Sequence, residues 1–176
     1  MQTFLSTYRL FSSGPPAAHI PIELPTELKS LLSQVGTNIY ADGFFTFVAP
    51  PTLDRFLELA GIVERDAHVF LKCGFGQMLF WHQQQYKVLN PVVNEVDVLG
   101  EAGELDFVMD IVLCDRPGME NSFMLDVFEQ SFPRLGPPGH DEIYAFVPAL
   151  KLGGPRDAAN VRRSRMDVEI PILLQL

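Results

Sequence analysis

The chain has 176 residues, 47% of them hydrophobic, with 13 Lys+Arg against 22 Asp+Glu and a formal net charge of −9. A chain of this length buries roughly 70% of its unfolded surface, so neither a metal nor a disulfide is needed to hold a core, and the apolar content excludes a disordered chain. The acidic balance excludes a broad basic field for gripping phosphate backbones; it fits a basic partner, or no charged partner.

Phe4, Leu5, Tyr8 and Phe11 recur at helical spacing, and Ser12 to Pro16 break the pattern. PTELKSLLSQVG predicts a second helix, with Pro25 and Thr26 at its start, Leu28, Leu31, Leu32 and Val35 as the apolar stripe, and Gly36 just past its end. Asp42-Gly43 lies between apolar runs and predicts a type I′ hairpin, because that turn needs positive φ twice. TLDRFLELAG predicts a short helix with Thr52 as N-cap and Gly61 beyond its end. Residues 67 to 99 are rich in β-branched and aromatic side chains and read as consecutive strands, with Gly74, Gly76, Asn90 and Pro91 as breaks.

After Gly100 the period returns to helical at Leu105, Val108, Met109 and Val112. Asp115-Arg116-Pro117-Gly118 is the strongest boundary signal. Phe123, Val127, Phe128 and Leu135 then predict a helix that Pro133 disturbs, and EIYAFVP predicts a strand. GGPRDAANVRR reads as loop with at most one helical turn, and MDVEIPILLQL fits either a helix carrying Pro171 or a closing strand. Strands in the middle with helices before and after predict an α+β fold: a central, mostly antiparallel sheet flanked by helices, with a smaller helix-rich C-terminal lobe.

Chemistry-bearing motifs are sparse. His19, His68, His82 and His140 form no HxxxH or HxH pair, and Cys73 and Cys114 have no CxxC partner. Both cysteines lie in apolar contexts that favour buried free thiols, and Cys73 has only Lys72 beside it to lower its pKa. No G-x-S-x-G elbow or phosphate-binding glycine loop is present, and Gly74-Phe75-Gly76 lacks the third glycine of a dinucleotide fingerprint. These readings predict no catalytic residues, no cofactor and no metal. The start MQTFLSTYRLF and the absence of an eighteen-residue apolar run predict a soluble cytoplasmic protein without direct membrane or nucleic-acid binding.

The charge is unevenly placed. From Val88 to Cys114 there is no lysine or arginine, while Glu95, Asp97, Glu101, Glu104, Asp106 and Asp110 all fall in that window. Glu101, Glu104 and Asp106 suit the positive end of a helix, which accounts for part of the excess. The functional reading of all six is a negative surface that steers and docks a basic partner. Lys151 to Arg165 holds five of the thirteen cationic residues, and reads as an internal charge complement or rim.

The segment FEQSFPRLGPPGHDEIYAFVPALKLGG, residues 128 to 154, resembles the C-terminal module of a bacterial family of two-part proteins. That family includes immunity proteins against DNase toxins of the type VI secretion system. Phe128, Glu129, Leu135, Gly136, Pro137, Glu142, Tyr144 and the run Phe146 to Leu150 with Leu152, Gly153 and Gly154 carry the resemblance; Ser131, Pro133, Pro138 and Ala145 depart from it. Leu24-Pro25, Asp42 to Phe45, Phe75-Gly76 and Trp81 are similar to the family's GAD-related N-terminal half. The resemblance implies a GAD-related domain over 1–115 and an immunity-type module over 116–176. It also implies a non-enzymatic protein that binds a cognate toxin with a basic nuclease domain. The alternatives are a regulatory or housekeeping binding module without a toxin partner, and a small cysteine- or metal-dependent activity at Cys73, His68 or His82.

Overall fold

A computed structural model describes residues 1–17 and 20–176, and His19 lies outside the described residues. Seven strands form one antiparallel meander, ordered across the sheet as they are in the chain. They are β1 (Leu10–Ser12), β2 (Ile39–Tyr40), β3 (Phe45–Phe47), β4 (His68–Cys73), β5 (Met78–His82), β6 (Gln85–Asn90) and β7 (Glu95–Glu101). The helices are α1 (Gln2–Thr7), α2 (Thr26–Val35), α3 (Asp54–Leu59), α4 (Leu105–Phe107), α5 (Arg116–Phe123), α6 (Leu125–Leu135) and α7 (Met166–Leu173). A separate hairpin pairs β8 (Glu142–Phe146) with β9 (Val161–Arg165). This is the expected α+β architecture, with the helices concentrated toward the C-terminus.

Both faces of the sheet are covered. On one, Leu28, Leu31, Leu32 and Val35 of α2 join Phe4, Phe45, Phe70, Phe75, Met109 and Phe128 in the larger core. On the other, Phe56 and Leu57 of α3 and Ile170 of α7 pack on Val69, Met78, Phe80 and Leu89. Burial of each such side chain stabilises the fold by about 1.5–3 kcal/mol. The larger core draws from both sides of residue 115. Phe128 of α6 packs against Phe44 (ring centroids 5.1 Å) and Tyr144 (4.7 Å), and Phe75 stacks on Phe146 at 4.9 Å. The β4–β5 turn seals the joint, because the Tyr144 N–H donates to the Gly74 carbonyl at 2.8 Å. A Cβ on Gly74 would lie 2.6 Å from the Phe128 ring.

Several local expectations are corrected. α1 stops at Thr7, and Phe11 lies exposed on β1, so only Phe4 and Tyr8 of the predicted stripe's aromatics reach the core. Asp42-Gly43 does sit in a β2–β3 hairpin, but pairing closes at Tyr40↔Phe45, leaving a four-residue connection. Positive φ is spread over Ala41, Asp42 and Gly43. A two-residue turn with both φ positive occurs at Gln83-Gln84 instead, joining β5 to β6. Thr52 does not cap α3: its hydroxyl donates to the Ala49 carbonyl at 2.5 Å, and the helix starts at Asp54. The predicted helix over 123–135 is two helices broken at Met124, whose φ of 61° is left-handed. Residues 161–163, the end of the stretch read as loop, belong to β9 (Val161–Arg165), and the tail resolves as a helix that contains Pro171.

Candidate partner-binding surface

The acid-rich window lies at one edge of the sheet and along the helical turn that follows it. β7 is the last strand, paired on one side with β6 through Asn90↔Glu95 and Val88↔Asp97. Side chains alternate across a strand, so Glu95, Asp97 and Leu99 share a face with Val88 and Asn90, and Val96 and Val98 point to the other. After Gly100 the chain enters α4 and widens into a π turn over Val108–Val112, where the Leu113 N–H donates to the Val108 carbonyl at 3.0 Å. That turn buries Val108 and Met109 while leaving Phe107 and Ile111, four residues apart, 48% and 57% exposed.

Between the β6–β7 face and residues 111–123 lies a groove of about 360 Å³. Val88, Leu99, Ile111, Val112 and Phe123 give it apolar walls, Asp97 and Asp115 give it two exposed carboxylates, and no lysine or arginine lines it. Its shape is held by two devices. The Asn90 amide donates to the Ser122 carbonyl at 3.2 Å, tying the end of β6 to α5. Asp115 caps α5 by accepting from the Gly118 N–H at 2.9 Å; a Cβ on Gly118 would fall 2.7 Å from that carboxylate, so glycine leaves room for the cap. The neighbouring Arg116 is engaged elsewhere, with Glu120 at 2.5 Å and Glu129 at 2.6 Å. These contacts raise the pKa of its guanidinium.

The structure divides the six predicted acidic residues. Glu95, Asp97 and Glu101 lie exposed on β7, and the Gln85 side-chain amide donates to Glu101 at 2.9 Å. Glu104 turns back to accept from the Glu101 N–H at 2.7 Å. Asp106 is 2.8 Å from the Met1 amino group, and Asp110 meets the same group and accepts from the Phe4 N–H at 2.9 Å. Burial pushes the Asp110 carboxyl up, but those hydrogen bonds outweigh it and hold it below the usual carboxylate range. Asp106 and Asp110 therefore anchor α1. Sequence reasoning passed over Asp115 as a boundary signal, and it found no apolar anchors; Val96, Val98, Phe107 and Ile111 are exposed beside the acids.

Of the five cationic residues in the basic cluster, the four arginines are paired within the chain. Arg156 pairs with Asp126 at 2.6 Å, Arg165 with Asp167 at 2.6 Å, Arg162 with Glu169 at 3.7 Å and Arg163 with Glu142 at 3.8 Å.

The residues of the enzyme alternative are not brought together. Cys73 and His68 occupy opposite ends of β4, about 16 Å apart at the rise of an extended strand. His82 lies on β5 beyond Trp81, the partner of His68, and so at that same far end. Cys73 is fully buried, which raises its pKa, and Cys114 is a second free thiol. His68 Nδ1 is held by Asp54 at 2.7 Å, and His140 is exposed. Among the described residues no group of three His, Cys, Asp or Glu is placed to hold a metal ion, and no helix is long and apolar enough to cross a membrane.

Comparison with solved structures places this architecture. A crystal structure of Atu4351 from Agrobacterium tumefaciens superposes with a TM-score of 0.67, over 99% of this chain and 88% of that one. The two are 16% identical, so the likeness is one of fold. Residues 107–176 match the family described as T6SS immunity protein Tdi1, C-terminal. Over those residues the chain is similar to the C-terminal domain of type VI secretion immunity proteins, the class that the 128–154 segment resembled. No curated protein matches the sequence.

Proposed function

We propose that this protein neutralises a cognate secreted nuclease without catalysis of its own, by covering the basic surface with which that nuclease holds DNA. The single observation that carries this beyond the family match is the groove without a cation in its lining: two carboxylates on apolar walls, with the adjacent Arg116 paired elsewhere. A nuclease must bind a polyanion, so its working cleft is cationic. A negative partner is steered there and denies DNA the same ground. Asp97, Glu95 and Asp115 supply the charge, and Phe107 and Ile111 the apolar contact that a stable interface needs at its centre. The division of labour near residue 115 belongs to the same proposal, with the groove formed where the sheet meets the C-terminal segment.

The test is co-purification with the product of the adjacent gene, followed by a plasmid-degradation assay with and without this chain. Stoichiometric protection of the plasmid, weakened by salt, is expected. Co-purification without protection would refute inhibition, and a cognate toxin with no nuclease activity would refute the substrate assignment.

A further inference from the structure

The open sheet has two edges, and they are built differently. β1 is three residues long and irregular in register against β2, whereas β7 runs seven residues and contains no lysine or proline, the residues that commonly blunt an edge. Glu95 to Val98 are all exposed, Val96 at 47% and Val98 at 54%. The helical turn closes tightly on β7 at Gly100, where an added Cβ would lie 2.9 Å from Val108 Cγ2.

The register shows which backbone groups are free. A two-residue turn with positive φ at Gln83 and Gln84 makes His82 and Gln85 a doubly hydrogen-bonded pair. Such pairs alternate, so Tyr86, Val88 and Asn90 turn their N–H and C=O groups toward β7. Asn90↔Glu95 and Val88↔Asp97 are then bonded pairs, and Val96 and Val98 direct theirs outward. Among the described residues no group outside the sheet accepts from either N–H.

The geometry points to strand addition at β7 by an extended segment of the partner in which lysine or arginine alternates with apolar residues. Cationic side chains lie beside Glu95 and Asp97 on the groove face, apolar ones beside Val96 and Val98 on the other, and the outward amides complete the ladder. Charge selects this occupant over a second copy, which would set carboxylates against carboxylates. The inference rests on the immunity reading only for the partner's identity.

The experiment titrates the isotope-labelled full chain with a nine-residue peptide of alternating Lys and Val, using alternating Glu and Val as control. Amide exchange at Val96 and Val98 slows at least tenfold on binding of the first peptide, and the control does not bind. Val96→Pro weakens affinity at least tenfold with an unchanged circular dichroism spectrum, because the N–H it removes faces away from β6. Should that variant fail to fold, Val96→Lys with Val98→Lys gives the same loss while keeping the amides. Protection elsewhere, equal binding of the control, or unaltered affinity in the folded variants overturns the inference. With the toxin itself, loss of binding in Asp97→Lys but not in Val96→Pro would end strand addition and leave the immunity reading standing. Peptide addition at β7 without any neutralised nuclease would do the reverse.

Discussion

The acid-rich edge around β7 and the charge-rich surface around β8, β9 and α7 hold similar densities of ionised side chains and treat them in opposite ways. In the second region four arginines each meet a carboxylate of the same chain. In the first, Asp97 and Asp115 border an apolar groove that has no cation in its lining. A count of charges along the sequence would rank the two regions alike. Pairing within the fold separates a surface that is already satisfied from one that gains by meeting an opposite charge.

The largest expected effect concerns the core beneath both regions. Phe128→Ala removes a ring packed against Phe44 and Tyr144 and should destabilise the protein by about 3–5 kcal/mol, measured by urea unfolding. A single cooperative transition is expected, because α6 and β8 share their core with the sheet; two separate transitions would break the comparison by making the regions independent bodies. Next, Asp97→Lys with Asp115→Lys should weaken toxin binding by about 3 kcal/mol, with stability reduced by about 1 kcal/mol through loss of the α5 cap. Calorimetric titration and thermal unfolding separate these two effects.

Lys72 gives a pH test of the joint. Its ammonium donates to the carbonyls of His140 at 3.1 Å and Glu142 at 2.9 Å, and burial lowers its pKa from 10.5 to about 8. Between those values the unfolded state binds more protons than the folded one, so this group makes stability rise as pH increases from about 8 to 10.5. In Lys72→Met that rise should vanish, with a loss of about 1–3 kcal/mol at pH 7 from carbonyls left without a donor. Urea unfolding at pH 7, 8, 9 and 10 reads both. The smallest effect is expected in the paired region: Arg165→Glu, at the exposed pair with Asp167, should leave toxin affinity unchanged and barely move the urea midpoint.

Much of the sheet was legible because β4 to β7 are dense in β-branched and aromatic residues and carry their own breaks. β9 was not, since only Val161 of VRRSR is buried and its strand form comes from the pairing with β8. The Gln83-Gln84 turn lacks glycine, asparagine and aspartate, so no local signal marks it; the flanking strands impose its backbone. At the site, the acid-only window was readable as composition. Sequence spacing could not tell that Asp106 and Asp110 turn to α1 while Asp97 and Asp115 line one groove, because those placements depend on elements distant in the chain.

The most direct test is a hydrogen-exchange footprint of the toxin complex against the free chain. Protection is expected over residues 95–101 and 111–123, with residues 151–165 unchanged. Protection confined to 151–165, with β7 exchanging as in the free protein, would contradict the assignment of the unpaired acidic edge as the toxin-binding surface.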